Sequence, residues 1–213
     1  MLDLLKKEIL FFDGGTGTVL QSWGLKPGEL PEEWNIKHPN KIQQLHYDYF
    51  CAGANIVKTN TFGCFTMKFP LKLEQIIIAG IENANIARST FLSENPNKEK
   101  KLFIAFDISS CGKLLKPMGD LDFEDCIELF KKTFRIALKC KIDCILIETM
   151  NDGYETKAAV LAAKETMEEL SIHYPIFVTN VYDDSCRTLS GSTPETMVAM
   201  LEGLGVDAIG VNC

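Results

Sequence analysis

The chain has 213 residues, with 22 basic against 29 acidic side chains for a net charge of −7, and is 46% apolar and 24% charged. These proportions lie near the globular average and exclude a disordered chain, a collagen-like chain and a basic nucleic-acid-binding domain. Such a chain can bury roughly 70% of its unfolded surface, yet it falls short of the about 250 residues of a complete α/β barrel.

Residues 1–12 carry Asp3, Lys6, Lys7 and Glu8, so no clean apolar stretch reads as a signal peptide. The first strand is predicted at 9–12 (Ile-Leu-Phe-Phe), followed by a Gly-rich run at 13–18. Residues 22–40, with three Pro, read as a long irregular connection, a length often associated with function. Further strands are predicted at 55–59, 102–107, 143–148, 175–180 and 207–211, and 93–101 reads as a solvated loop. The strand runs are nearly continuously apolar, as in parallel strands covered on both faces. Phe123, Cys126, Ile127, Phe130, Phe134, Ala137 and Leu138 fall at helical spacing within 122–139. A second helix is predicted from Pro194 to Leu204, with Pro at its start and Gly205 after its end. Alternating strands and helices imply βαβ units and a parallel sheet.

A weak repeat relates 53–60, 141–148 and 205–212. Each has a turn with Asn or Asp, an apolar strand, then a polar residue at the strand's C-terminal end. These are the second, fourth and sixth predicted strands, the alternation from which barrel interiors are layered. No apolar run approaches a membrane span. The eight Cys include no C-x-x-C pair. With no signal peptide they read as reduced, mostly buried thiols of a cytoplasmic protein. His38, His46 and His173 are scattered and read as surface or packing residues.

Parallel α/β folds place ligands at the C-terminal ends of their strands. Those ends carry Asp13 with Gly14, Gly15 and Gly17; Thr59, Asn60 and Thr61; Asp107, Ser109 and Ser110; Glu148 and Thr149; Asn180 and Asp183; and Asn212 and Cys213. Turn formation alone accounts for one or two of these, not for the set. The Gly run is not a dinucleotide fingerprint, because Leu20 stands where the third Gly belongs. It suits instead a backbone nest for a carboxylate, leaving Asp13 and Glu148 for an ammonium. Cys213 reads either as one more buried Cys or as a site thiol.

Taken together, Asp-Gly-Gly-Thr-Gly-Thr (13–18), Leu-Pro-Glu-Glu-Trp-Asn (30–35), Ala-Gly-Ala-Asn-Ile-Val-Lys-Thr-Asn-Thr-Phe-Gly (52–63), Glu-Thr (148–149), Arg-Thr-Leu-Ser-Gly (187–191) and Gly-Val-Asn-Cys (210–213) resemble the homocysteine S-methyltransferase family. Within it the chain is most similar to the N-terminal homocysteine-binding module of cobalamin-dependent methionine synthases. The resemblance implies a (β/α)8 TIM-barrel fold, here one domain over 1–213 that stops after the sixth strand. It implies that zinc-dependent methyl transfer to the thiol of L-homocysteine yields methionine. Asp13, Gly14, Gly15, Thr61 and Glu148 match substrate-binding positions, and Cys213 matches a catalytic zinc thiolate. The donor implied is methylcobalamin carried on another module, alongside a folate-binding module; other family members use betaine or S-methylmethionine. The family's other two zinc thiolates belong to a later Gly-Gly-Cys-Cys-Gly-Thr segment that 1–213 does not contain. The chain is therefore expected to be a C-terminally incomplete barrel that binds zinc weakly, and an inactive binding module is the alternative. Ser109-Ser110 replaces a usual Gly-Pro and is expected to alter the floor of the site.

Overall fold

In a computed structural model, residues 1–96 and 101–213 are described. Residues 97–100 of the expected loop lie outside them. The N-terminal part contains α1 (Leu2–Leu5), α2 (Thr16–Ser22), a 3-10 turn (Pro31–Glu33), α3 (Trp34–Lys37) and α4 (Pro39–Ala52). Then strands and helices alternate: β1 (Ile56–Lys58), α5 (Leu73–Glu94), β2 (Phe103–Ile108), α6 (Phe123–Ala137), β3 (Cys144–Met150), α7 (Gly153–Leu170), β4 (Ile176–Asn180), α8 (Pro194–Gly203) and β5 (Ala208–Val211).

The five strands form one sheet in chain order, every pair parallel. The strand expected at 9–12 takes its place beside β1 but shrinks to one parallel bridge, Phe12 to Ile56. Ile9 and Phe11 stay 79% and 62% exposed, so the outward face of the run is bare, while Leu10 packs inward. The connection at 22–40 is partly helical rather than irregular, and residues 93 and 94 belong to α5.

The repeat has a structural meaning. Asn55, Asp143 and Asp207 each precede a strand, and each clamps one residue of the neighbouring strand twice. Their N–H groups donate to the carbonyls of Phe11, Ile104 and Ile176 at 2.8, 2.9 and 2.9 Å. Their side-chain oxygens accept the N–H groups of the same three residues at 3.1, 2.8 and 2.9 Å. A short polar side chain at this point fixes the register of each strand pair.

Helix ends follow local chemistry. Asp152 caps α7 by accepting the Glu155 N–H at 2.8 Å, and Thr193 caps α8 ahead of Pro194. Gly53 and Gly205 follow α4 and α8 at φ of +115° and +66°, values that favour a residue without Cβ. Outward strand residues such as Phe106, Ile145 and Val178 pack under α5, α6 and α7. Inward residues Ile56, Ala105, Cys144, Leu146 and Phe177 form a separate apolar layer, against which Met1, Leu2 and Leu10 pack. This is the arc of a (β/α) barrel, with the 9–12 segment along β1 and, among the described residues, no strand on the far side of β5. No helix among the described residues is long and apolar enough to cross a membrane.

Candidate functional site

Side chains alternate faces along a strand, so the inward apolar layer continues upward into polar residues of the same parity. Lys58 follows Ile56, Asp107 follows Ala105, and Glu148 follows Leu146. With Gly15, Gly17, Glu32, Asn212 and Cys213 they line a cavity of about 480 Å³.

Lys58 stands in the cavity with Asp107 and Glu148, Asp13 lies against its backbone, and Lys68 and Glu32 share the lining. Lys58 Nζ sits 3.3 Å from Glu148 Oε2. Asp13 Oδ2 accepts the Lys58 N–H at 3.0 Å, while its Oδ1 is buried without a partner. Asp107 Oδ1 is likewise buried and unpartnered. Burial pushes the Asp13 carboxyl up to about 7, against the attraction of Lys58. Burial first, then the charge of Glu148, raises Asp107 well above the carboxylate range. Burial pulls Lys58 down, but Glu148, Asp107 and Asp13 outweigh it and hold the ammonium above its ordinary value.

Two sequence motifs meet at one wall. Asn35 Nδ2 donates to the Asn60 carbonyl at 2.8 Å, and Asn60 Nδ2 donates to Asn35 Oδ1 at 2.9 Å. Asn60 Nδ2 also donates to the Pro31 carbonyl at 2.8 Å, which fixes the 3-10 turn. That turn aims Glu32 at the cavity; its Oε1 accepts the Gly63 N–H at 2.7 Å and its Oε2 has no partner.

At the opposite wall β3 bulges against β4 between Ile147 and Met150, and Thr149 takes a φ of +61°. A β-branched residue there is a strained outlier, a feature that clusters at functional sites. Asn212 Nδ2 donates to Thr149 Oγ1 at 2.8 Å and to Cys213 Sγ at 3.2 Å, while Asn212 Oδ1 accepts from Thr179 Oγ1 at 2.7 Å. The strained residue thus helps hold the amide that contacts the thiol.

Of the expected site residues, Gly15, Glu148 and Cys213 line the cavity, and Asp13 lies beside it, held to the Lys58 backbone. Gly14 backs the wall without lining it, and a Cβ there would fall 2.9 Å from the Tyr49 hydroxyl. Thr61 is fully buried; its hydroxyl donates to the Asp107 carbonyl at 2.7 Å and lies 2.6 Å from Thr59 Oγ1. It supports Asp107 from below rather than facing the cavity. Asn180 has the opposite parity and donates to Met150 and Thr156 beneath α7, and Asp183 caps an exposed turn. Ser109 and Ser110 do not line the cavity. Asp107 is one of the polar strand ends named from the sequence, without a role assigned to it; Lys58 and Glu32 are not among those ends. The inward parity of Lys58, at the repeat position held by Leu146 and Gly210, was the available signal.

A zinc ion does not fit the residues present. Cys213 is the one Cys or His along the cavity among the described residues, and it supplies one of the three protein ligands that a catalytic zinc needs.

The fold and site define a (β/α)-barrel protein with an acidic, lysine-bearing pocket at its C-terminal strand ends. The model of the homocysteine S-methyltransferase family matches residues 10–213, and the chain belongs to that family. It is 27% identical over 220 residues to the methionine synthase of Mycobacterium leprae, covering 100% of this chain and 18% of that protein. The chain thus spans about a fifth of such a synthase. Its fold matches the homocysteine methyltransferase MmuM from Escherichia coli, oxidized form, with a TM-score of 0.84 at 22% identity over 99% of this chain and 75% of that one. The metallated form of MmuM matches with a TM-score of 0.83, also at 22% identity, over 99% and 77% of the two chains.

Proposed function

We propose that this chain is the L-homocysteine-binding part of a methyltransferase that forms methionine. The observation that carries the reading is the pair of buried, unpartnered oxygens, Asp13 Oδ1 and Asp107 Oδ1, beside Glu148. Buried acceptors without donors are costly, and a substrate ammonium supplies the missing donors. The carboxylate of the same molecule then lies along the Gly15 backbone, with Gly14 behind it, and the sulfur points to the Cys213 rim. Thr61 acts through Asp107.

In the reaction a sulfur–methyl bond forms, the donor–methyl bond breaks and the substrate thiol gives up its proton. Similarity to methionine synthase favours methylcobalamin on a separate module as donor, with a folate-binding module completing the cycle; betaine and S-methylmethionine are the alternatives. Cys213 alone would not hold a zinc ion, which needs two more protein ligands than the cavity offers. What these residues themselves do is bind and orient. The single Cys along the cavity favours a second reading, an amino-acid-binding module without catalysis of its own.

The test is site protection. L-Methionine, which has no thiol to consume the reagent, is expected to slow iodoacetamide alkylation of Cys213 while leaving the exposed Cys51 and Cys186 unprotected. Equal Cys213 rates with and without saturating methionine overturn the proposal.

A further inference from the structure

We propose that Cys111, Cys126 and Glu155 form a separate, buried site for a thiophilic divalent cation of the zinc class. The three come from the loop after β2, the first turns of α6 and the first turn of α7. Their two sulfurs and a carboxylate oxygen lie within 4.8 Å of one another. They are 5%, 0% and 1% exposed, and none lines the cavity of Lys58 and Cys213.

The donor set has the right chemistry. Thiolates with one carboxylate suit zinc. Bonds of about 2.3 Å to sulfur and about 2.0 Å to oxygen set tetrahedral donors roughly 3.3–3.8 Å apart. The cluster therefore needs a contraction of at most about 1.5 Å to reach that spacing, within the range of side-chain rotation. Glu155 is a buried carboxyl with no ion-pair partner among the described residues. Its Oε1 accepts the Cys111 N–H at 2.7 Å. Binding exchanges two thiol protons for one divalent ion and leaves a complex of charge −1 with ionised Glu155. A cation held by these three side chains ties the loop after β2 to the starts of α6 and α7.

The test titrates the reduced, metal-free chain with Co²⁺. One equivalent is expected to give thiolate-to-cobalt charge-transfer absorption and tetrahedral visible bands, both displaced by Zn²⁺. Cys111→Ala and Cys126→Ala are each expected to lose the bands, and Cys213→Ala to keep them. Zinc is expected to raise the melting temperature of the unmodified chain and of Cys213→Ala by mass action. Should the two alanine variants fail to fold, alkylation of the unmodified chain decides. Zinc then slows alkylation of Cys111 and Cys126 more than that of Cys144, which is also buried. Absent bands, bands that survive both alanine variants, bands lost in Cys213→Ala, or uniform alkylation would each overturn the site.

Discussion

Lys58 Nζ and Glu148 Oε2 stand 3.3 Å apart with side chains only 17% and 14% exposed. They join the C-terminal ends of β1 and β3. Glu148 is thus already partnered, while Asp13 Oδ1 and Asp107 Oδ1 wait without one. Lys58 and Lys68 face the carboxyl groups of Glu32, Asp107 and Glu148, with Asp13 beside Lys58, so carboxyls outnumber the built-in ammonium groups. The selectivity proposed for this cavity follows from that imbalance.

Replacing Lys58 by Met removes a positive charge from beside the incoming ammonium. Two like charges about 5 Å apart at an effective dielectric of about 20 repel by about 3 kcal/mol. Homocysteine is therefore expected to bind at least about tenfold more tightly to the Lys58→Met variant, with the folded state destabilised by the uncompensated carboxylates. Calorimetric titration and thermal melting read the two effects. Weaker binding would mean that Lys58 holds the substrate carboxylate instead.

Glu148→Gln removes a negative charge, and Asp107→Asn removes a buried carboxyl that an ammonium would ionise, each while keeping side-chain size. Hydrogen bonds to charged groups contribute about 1.5–3 kcal/mol, so each variant is expected to bind homocysteine about 10- to 150-fold more weakly. Binding of the desamino analogue 4-mercaptobutanoate is expected to stay level. A parallel loss for both ligands would point to a collapsed cavity, not to a lost ammonium contact.

The Asp13 carboxyl is raised to about 7 from an ordinary 3.8 by burial. Between those values the folded chain binds more protons than the unfolded one, so this group makes stability fall as pH rises from about 4 to about 7. An ammonium favours ionised Asp13. Homocysteine affinity is therefore expected to rise as pH rises through about 7, with proton uptake by the buffer on binding. Titrations in buffers of different ionisation enthalpy measure that release, and Asp13→Asn should abolish it.

His46 is fully buried on α4, and neither ring nitrogen has a partner among the described residues. Burial lowers its pKa to about 4 from 6.5. The unfolded chain takes up this proton first, so stability is lost as pH falls from about 6.5 towards 4. His46→Leu is expected to lose less stability over that interval than the unmodified chain. Identical slopes in denaturant titrations at several pH values would contradict this account.

Much of the architecture was legible because parallel strands and amphipathic helices write different periods. Five of the six apolar runs became strands within a residue or two at most ends. The run at 9–12 had the composition of a strand, but ladder length depends on pairing partners that composition does not reveal. Asp13, Glu148 and Cys213 were readable because each follows an apolar run. Asn180 also follows one, yet its parity turns it under α7. Thr61 shows the same limit, since only tertiary packing decides that its hydroxyl supports Asp107. Glu32 reaches the cavity through the Asn35–Asn60 pairing across 25 residues, which no local pattern announces. The convergence of Cys111, Cys126 and Glu155 is likewise purely three-dimensional.

The most direct measurement is calorimetric titration of residues 1–213 with L-homocysteine and, in parallel, with 4-mercaptobutanoate. The account predicts that homocysteine binds, that the desamino compound binds about 10- to 150-fold more weakly, and that Glu148→Gln narrows this difference. Equal affinity for the two compounds, or no homocysteine binding at all, would contradict the assignment of the carboxylate cluster to a substrate ammonium.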